Sequence, residues 1–187
     1  MIVWSQTPVL VPPTLDLTAQ VVQSCTQRYE DPAAPDAITR AYTDTAKVEL
    51  SAKNPSDEEV LLVGMRVDVL HRAGPPTSGR YRRVWCRWIT PLTTRYVVFD
   101  LDEPEPLVTG GRFAPRARVG PNLPPPRSAG FPYQISRLDP EYFEVSFRAK
   151  RCDCTFLIVL DWVVGGGRRQ STTTPFRVVP KVPSLIA

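Results

Sequence analysis

One histidine, two methionines and four cysteines are all that 187 residues contain of these types. That scarcity excludes a good deal. A lone His71, with no serine or cysteine set beside it by any motif, reads as a surface or edge histidine rather than a catalytic base. No G-x-S-x-G, Walker or G-x-G-x-x-G pattern occurs. No apolar run approaches the ~18 residues that a membrane-spanning helix needs. The N-terminal stretch MIVWSQTPVLVPPTLDL lacks a basic n-region and a proline-free apolar core, so it does not read as a signal peptide. The default expectation is a soluble, cytoplasmic chain. Long helices are excluded by what is abundant. The 21 prolines are about twice the usual ~5% share, and proline breaks helices and marks loops and strand edges.

The net charge of +4 and pI of 9.0 are mildly basic. They do not favour nucleic acid over ordinary solubility. A chain this long buries about 70% of its unfolded surface, so neither a disulfide nor a metal is required for folding. The cysteines, Cys25, Cys86, Cys152 and Cys154, are compatible with buried thiols or with one disulfide. A tetrathiolate zinc site lacks its C-x-x-C pairs. Cys152 and Cys154 would have Cα atoms about 6.5 Å apart on a regular strand, near the upper limit for a bond between them.

What is present is period-two patterning. The longest apolar stretch, RCDCTFLIVLDWVV from Arg151 to Val164, puts Cys152, Cys154, Phe156, Ile158, Leu160, Trp162 and Val164 on one face. Its alternate positions start polar and turn apolar, so the middle is expected to be covered on both sides. The core should assemble against it. Ala46–Lys53 alternates as a half-buried strand. Leu61, Val63, Met65, Val67 and Val69 share a parity through His71, and the intervening turn, Asn54-Pro55-Ser56-Asp57, suggests a hairpin. Gly64 suggests a bulge or a close backbone approach. Further strands are expected at Leu17–Val22, Val84–Ile89, Arg95–Asp102, Phe131–Ile135, Glu141–Lys150, Arg168–Thr172 and Phe176–Val179. Gly165-Gly166-Gly167 supplies a turn at positive φ. Asp31–Asp36 is a turn, and Asp36 is placed to cap a short helix through Tyr42. Glu103–Ala129 is a Pro-, Gly- and Arg-rich loop, of a length that is usually functional or disordered.

Roughly seven to nine short strands read as one antiparallel, immunoglobulin-like β-sandwich over residues 18–180. An extended arm (1–17) precedes it and a short tail (181–187) follows. A barrel is the second choice. Asp100, Asp102, Glu103 and Glu105 lack calcium-loop spacing and read as solvated strand-end acids, and Asp139 and Glu141 as turn acids. No cofactor or metal is implied. The candidate partner surface combines Arg80, Arg82, Arg83, Trp85 and Arg87 with Arg112, Arg116, Arg118 and Arg127 of the long loop. Arginines interleaved with aromatics are also what a solvated sandwich face with stacked Arg and Trp looks like; as a binding surface they suit an acidic protein or glycan, less readily single-stranded nucleic acid.

The run FPYQISRLDPEYFEVSFRAKRCDCTFLIVLDWVVGGGRR…TPFRVV, Phe131 to Val179, resembles a C-terminal module of uncharacterised actinobacterial proteins. In that module an FPY…DPE segment precedes a Cys-bearing strand, a Trp-bearing hairpin and a closing PFR. EEVLLVGMRVDVLHR and the FDLD of Phe99–Asp102 are similar to its upstream half, so the resemblance spans about residues 20–180. Such modules often follow a transmembrane helix, which this sequence lacks. The resemblance implies an extracytoplasmic setting and, with it, a Cys25–Cys86 disulfide. The function expected is therefore a non-enzymatic interaction or accessory module, associated with the cell envelope. The runners-up are a hydrolase whose site no motif reveals and a basic nucleic-acid-binding module.

Overall fold

A computed structural model describes residues 14–22, 27–30, 41–43, 47–83, 95–106 and 130–182. It contains β1 (Asp16–Val22), β2 (Gln27–Glu30), β3 (Ala41–Thr43), β4 (Lys47–Lys53), β5 (Val60–Ala73) and β6 (Arg80–Arg83). There follow β7 (Arg95–Asp100), β8 (Tyr133–Ile135), β9 (Glu141–Arg148), β10 (Asp153–Val164), β11 (Gly167–Thr172) and β12 (Phe176–Val179). The expected arm (1–13), the Asp31–Asp36 turn, the Val84–Ile89 strand, most of the long loop and the last residues of the tail lie outside the described residues. Among the described residues no helix is long and apolar enough to cross a membrane. Ala41 and Tyr42, the end of the expected short helix, are strand.

The strands form two sheets packed face to face, the all-β sandwich that the alternation predicts. One sheet has the order β1-β4-β9-β7; the other runs β6-β2-β3-β12-β10-β5-β8, with β11 also on β10. Most neighbours are antiparallel, but β7 runs parallel to β9 and β12 parallel to β3. These are pairs whose partners are separated by long stretches of chain, as parallel pairing demands.

Alternation explains the core. β4 buries Val48, Leu50 and Ala52, β9 buries Phe143, Val145 and Phe147, and β10 buries Phe156, Ile158, Leu160 and Trp162. The rings of Phe147 and Phe156 meet between the sheets with centroids 4.6 Å apart. β10 holds the central place: β5 flanks one side along its length, and β12 and β11 share the other. Val159, on the alternate parity, is buried as well as the inward row, and each fully buried large apolar side chain contributes about 1.5–3 kcal/mol. Gly165 (φ 54°) and Gly166 (φ 77°) make the β10–β11 turn at positive φ, where side chains with a Cβ are strained.

Two further details differ from the sequence reading. β4 and β5 are not a hairpin; they lie in opposite sheets. Asn54 directs the crossing: its amide donates to the Glu58 and Ile135 carbonyls, and its oxygen accepts from the Ser56 backbone N–H and hydroxyl. A turn signal announces a reversal and does not say whether the strands then pair. Within β5 the buried residues are Val60 and Leu62, then Met65 and Val67. Leu61 and Val63 therefore do not share the inward parity of Met65. The register slips between Asp161 and Trp162 of β10, opposite Gly64 and Leu62, so Gly64 marks a bulge at which the parity changes.

Candidate functional site: an arginine ribbon at a sheet end

β6 is the end strand of the larger sheet and carries Arg80, Tyr81 and Arg82 in alternation. Tyr81 points inward and is 6% exposed. Its hydroxyl donates to the Pro180 carbonyl at 2.7 Å and accepts from the Val182 N–H at 3.1 Å. With Tyr29, Ala41 and Val179 it builds a small second core, in which the Tyr29 and Tyr81 rings are 5.5 Å apart. Gly79, at φ +100°, lies under the Tyr29 ring, where a Cβ would come within 2.6 Å of its hydroxyl. The Tyr29 hydroxyl itself donates to the Ser78 carbonyl. Period two then obliges Arg80 and Arg82 to face solvent, with side chains 74% and 73% exposed.

Both guanidinium groups share one carboxylate. Arg80 Nε is 3.0 Å from Glu30 Oε2, and Arg82 Nη1 is 3.7 Å from Glu30 Oε1. The strand register sets Arg28 opposite Arg82 and Gln27 opposite Arg83. Arg28, Arg80 and Arg82 thus take the positions that alternate with Tyr29 and Tyr81, as Glu30 does, and Arg83 takes the parity of Tyr81. Of the sequence-predicted surface, Arg80 and Arg82 are brought together here and Arg83 ends the same strand. Trp85, Arg87, Arg112, Arg116, Arg118 and Arg127 lie outside the described residues, as do Cys25 and Cys86.

Elsewhere several of the described acids and bases hold segments of the chain together. At one end of the sandwich Arg95 makes a paired contact with Glu141, Nε to Oε2 at 2.7 Å and Nη2 to Oε1 at 2.9 Å. Their side chains are 12% and 9% exposed. The hydrogen bond to Glu141 raises the Arg95 pKa further above its already high value. The guanidinium also covers the Tyr133 ring, 4.0 Å from its centroid. Among the described residues the Tyr133 hydroxyl is a buried side-chain oxygen with no hydrogen-bond partner, and burial pushes it up to about 12. Asp139, the other expected turn acid, donates its backbone N–H to the Ser136 carbonyl.

At the other end Asp102, expected to be a solvated acid, turns its carboxylate onto consecutive backbone amides: Lys150 at 2.9 Å, Arg151 at 3.0 Å and Cys152 at 3.1 Å. Burial alone would raise its pKa, but these three N–H groups and the Arg151 charge outweigh it and hold the carboxyl below its usual range. Asp100 accepts from the Asp102 N–H at 3.1 Å. Arg72 donates to the Leu101 and Glu103 carbonyls. Cys152 and Cys154 form a disulfide in this region. Their Cα atoms are 5.4 Å apart, closer than a regular strand would set them, because β10 begins only at Asp153. Asp153, between them, is paired with Arg177 at 2.9 and 2.7 Å.

His71 is exposed near the end of β5, opposite Thr155. An open groove of about 590 Å³ lies on the outer side of β5, β10 and β11, lined by Gly64, Asp161, Trp162, Arg168, Arg169 and Gln170 among others. Asp161 is engaged there by Arg66 at 2.7 Å and Gln170 at 2.8 Å. His71, Asp100 and Asp139 do not line it. The Arg66–Asp161 and Arg95–Glu141 pairs were not singled out by sequence reading. A signal existed for the first: Asp161 is an isolated acid in an otherwise apolar strand and requires a partner. No protein-family model, curated protein or solved structure matches this chain.

Proposed function

We propose that this chain is a non-enzymatic interaction module for an acidic protein or glycan, and that the β2–β6 ribbon is part of its binding surface. The observation that carries the reading is the exposed pair Arg80 and Arg82, sharing one carboxylate and fixed in direction by the buried Tyr81 between them. Guanidinium groups are less strongly hydrated than ammonium and present forked donors suited to carboxylate, sulfate or phosphate oxygens. Arg112, Arg116 and Arg118 of the long loop, which lie outside the described residues, are candidates for the same chemistry in this proposal. An accessory role in an envelope-associated architecture follows from the family resemblance.

The test is retention on immobilised heparin and on polyglutamate. Arg80→Ser/Arg82→Ser should elute at clearly lower salt than the parent chain. Arg168→Ser/Arg169→Ser removes the same number of exposed charges from the β10–β11 hairpin and should elute close to the parent. Equal losses in the two double variants would mean that net charge alone is being read, and the surface assignment would fall.

A further inference from the structure

We propose that Cys152 and Cys154 are a redox-active site, exchanging two electrons and two protons with a dithiol while the sandwich stays folded. The placement of the bond argues against a purely structural role. A disulfide that serves the fold joins segments distant in sequence, and its constraint on the unfolded chain grows with the loop it closes. This one joins residues two apart. Cys154 is already fixed by pairing with Arg72 of β5 and Val178 of β12, and Asp153 by pairing with Ala73. The cross-link adds little that the strand has not imposed.

The surroundings also provide for the reduced form. Cys152 Sγ lies 3.5 Å and Cys154 Sγ 3.9 Å from one acceptor, the Leu101 carbonyl oxygen. In the disulfide neither sulfur carries a hydrogen, so these are contacts only. In the dithiol a thiol can donate there. Arg72 occupies one lone pair of that oxygen, and the other faces the sulfurs. Reduction therefore leaves an acceptor for one of the two thiol hydrogens. Both cysteines are buried, and Cys152, at 4% exposed, is the less enclosed and so the end that an incoming thiolate meets first. It ends the Lys150–Cys152 turn, whose first two residues are exposed and whose hold on the sandwich includes the Asp102 carboxylate. Lys150 and Arg151, both exposed, precede Cys152 directly in the chain and put two positive charges in the turn that ends at it.

A thiolate of the dithiol attacks Cys152 Sγ, the Cys152–Cys154 bond breaks, and Cys154 leaves as a thiolate that takes a proton from solvent. The second thiol of the reductant then displaces Cys152 and closes its own disulfide. The dithiol is oxidised by two electrons, and the protein gains two thiols.

The experiment exposes the full chain, without denaturant, to millimolar dithiothreitol. It is then alkylated and digested with trypsin. The peptide Cys152–Arg168 contains both cysteines of the pair and neither Cys25 nor Cys86. The proposal expects that peptide to be unmodified before reductant and doubly alkylated after it, with far-ultraviolet circular dichroism unchanged. It expects the peptide to return to the unmodified form when the reductant is replaced by oxidised dithiothreitol. Three results would each overturn it: a bond that opens only when urea unfolds the chain, reduction that abolishes the sheet signal, or a peptide already alkylated in air-equilibrated protein without reductant.

Discussion

Replacing Asp102 with alanine removes one carboxylate that accepts from three consecutive backbone amides and ties the β9–β10 turn to the end of β7. A hydrogen bond to a charged group is worth about 1.5–3 kcal/mol net when buried. The amides of Lys150 and Arg151 lie in exposed residues and regain water in the variant; that of Cys152 is partly buried and does so poorly. The loss should therefore be near the value of one such bond, about 2–3 kcal/mol, rather than three. With a urea m-value of about 2 kcal/mol/M, the midpoint should fall by roughly 1 M. The pH dependence gives the sign. The folded carboxyl is held below its unfolded value, so its contribution is fully present above the unfolded pKa of about 3.9 and is lost as pH falls through the folded value. Urea unfolding of parent and Asp102→Ala between about pH 6 and pH 3 should show a gap that is constant above the unfolded pKa and narrows as pH falls below it. Equal midpoints at neutral pH, or a gap that widens toward acid, would refute the assignment of Asp102 as the anchor.

Other outcomes follow from the same interior. Tyr133→Phe removes a buried hydroxyl without a partner and should leave stability unchanged or raise it by about 1 kcal/mol. Burial keeps that phenol neutral to about pH 12, whereas the unfolded chain releases the proton nearer 10. The parent should therefore lose stability as pH rises from about 10 to 12, and Tyr133→Phe should lose less; thermal melts across that range check it. Leu160→Asp sets a charge without a partner in the middle of β10, at a cost of about 4 kcal/mol or more, and should abolish cooperative unfolding. A soluble variant with a sharp melt would contradict the placement of Leu160.

The fold was legible wherever one face of a strand is wet. Glu141–Arg148 and Lys47–Lys53 alternate in sequence and alternate in burial, because period two is imposed by the strand itself. The pairing of strands was less legible. Asn54 starts a turn in either case, and its hydrogen bond to Ile135, a residue 81 positions away, is what sends β5 into the other sheet. The parity of β5 was misread up to Gly64, since a bulge shifts the count by one and glycine is compatible with several backbone geometries. In the candidate site, the outward direction of Arg80 and Arg82 follows from alternation about Tyr81. That both lean on Glu30 does not, because Glu30 reaches them through a register set by residues far apart in the chain. Asp102 read as a solvated acid for the same reason: its three partners come from a turn about fifty positions later.

Native-state hydrogen exchange, resolved along the chain, tests most directly whether β10 is the strand around which both sheets are built. The amides from Phe156 to Trp162 should exchange most slowly, at the rate set by global unfolding, while those of β6 and β11 at the sheet margins exchange orders of magnitude faster. Exchange in Phe156–Trp162 as fast as in Gly167–Thr172 would contradict that placement.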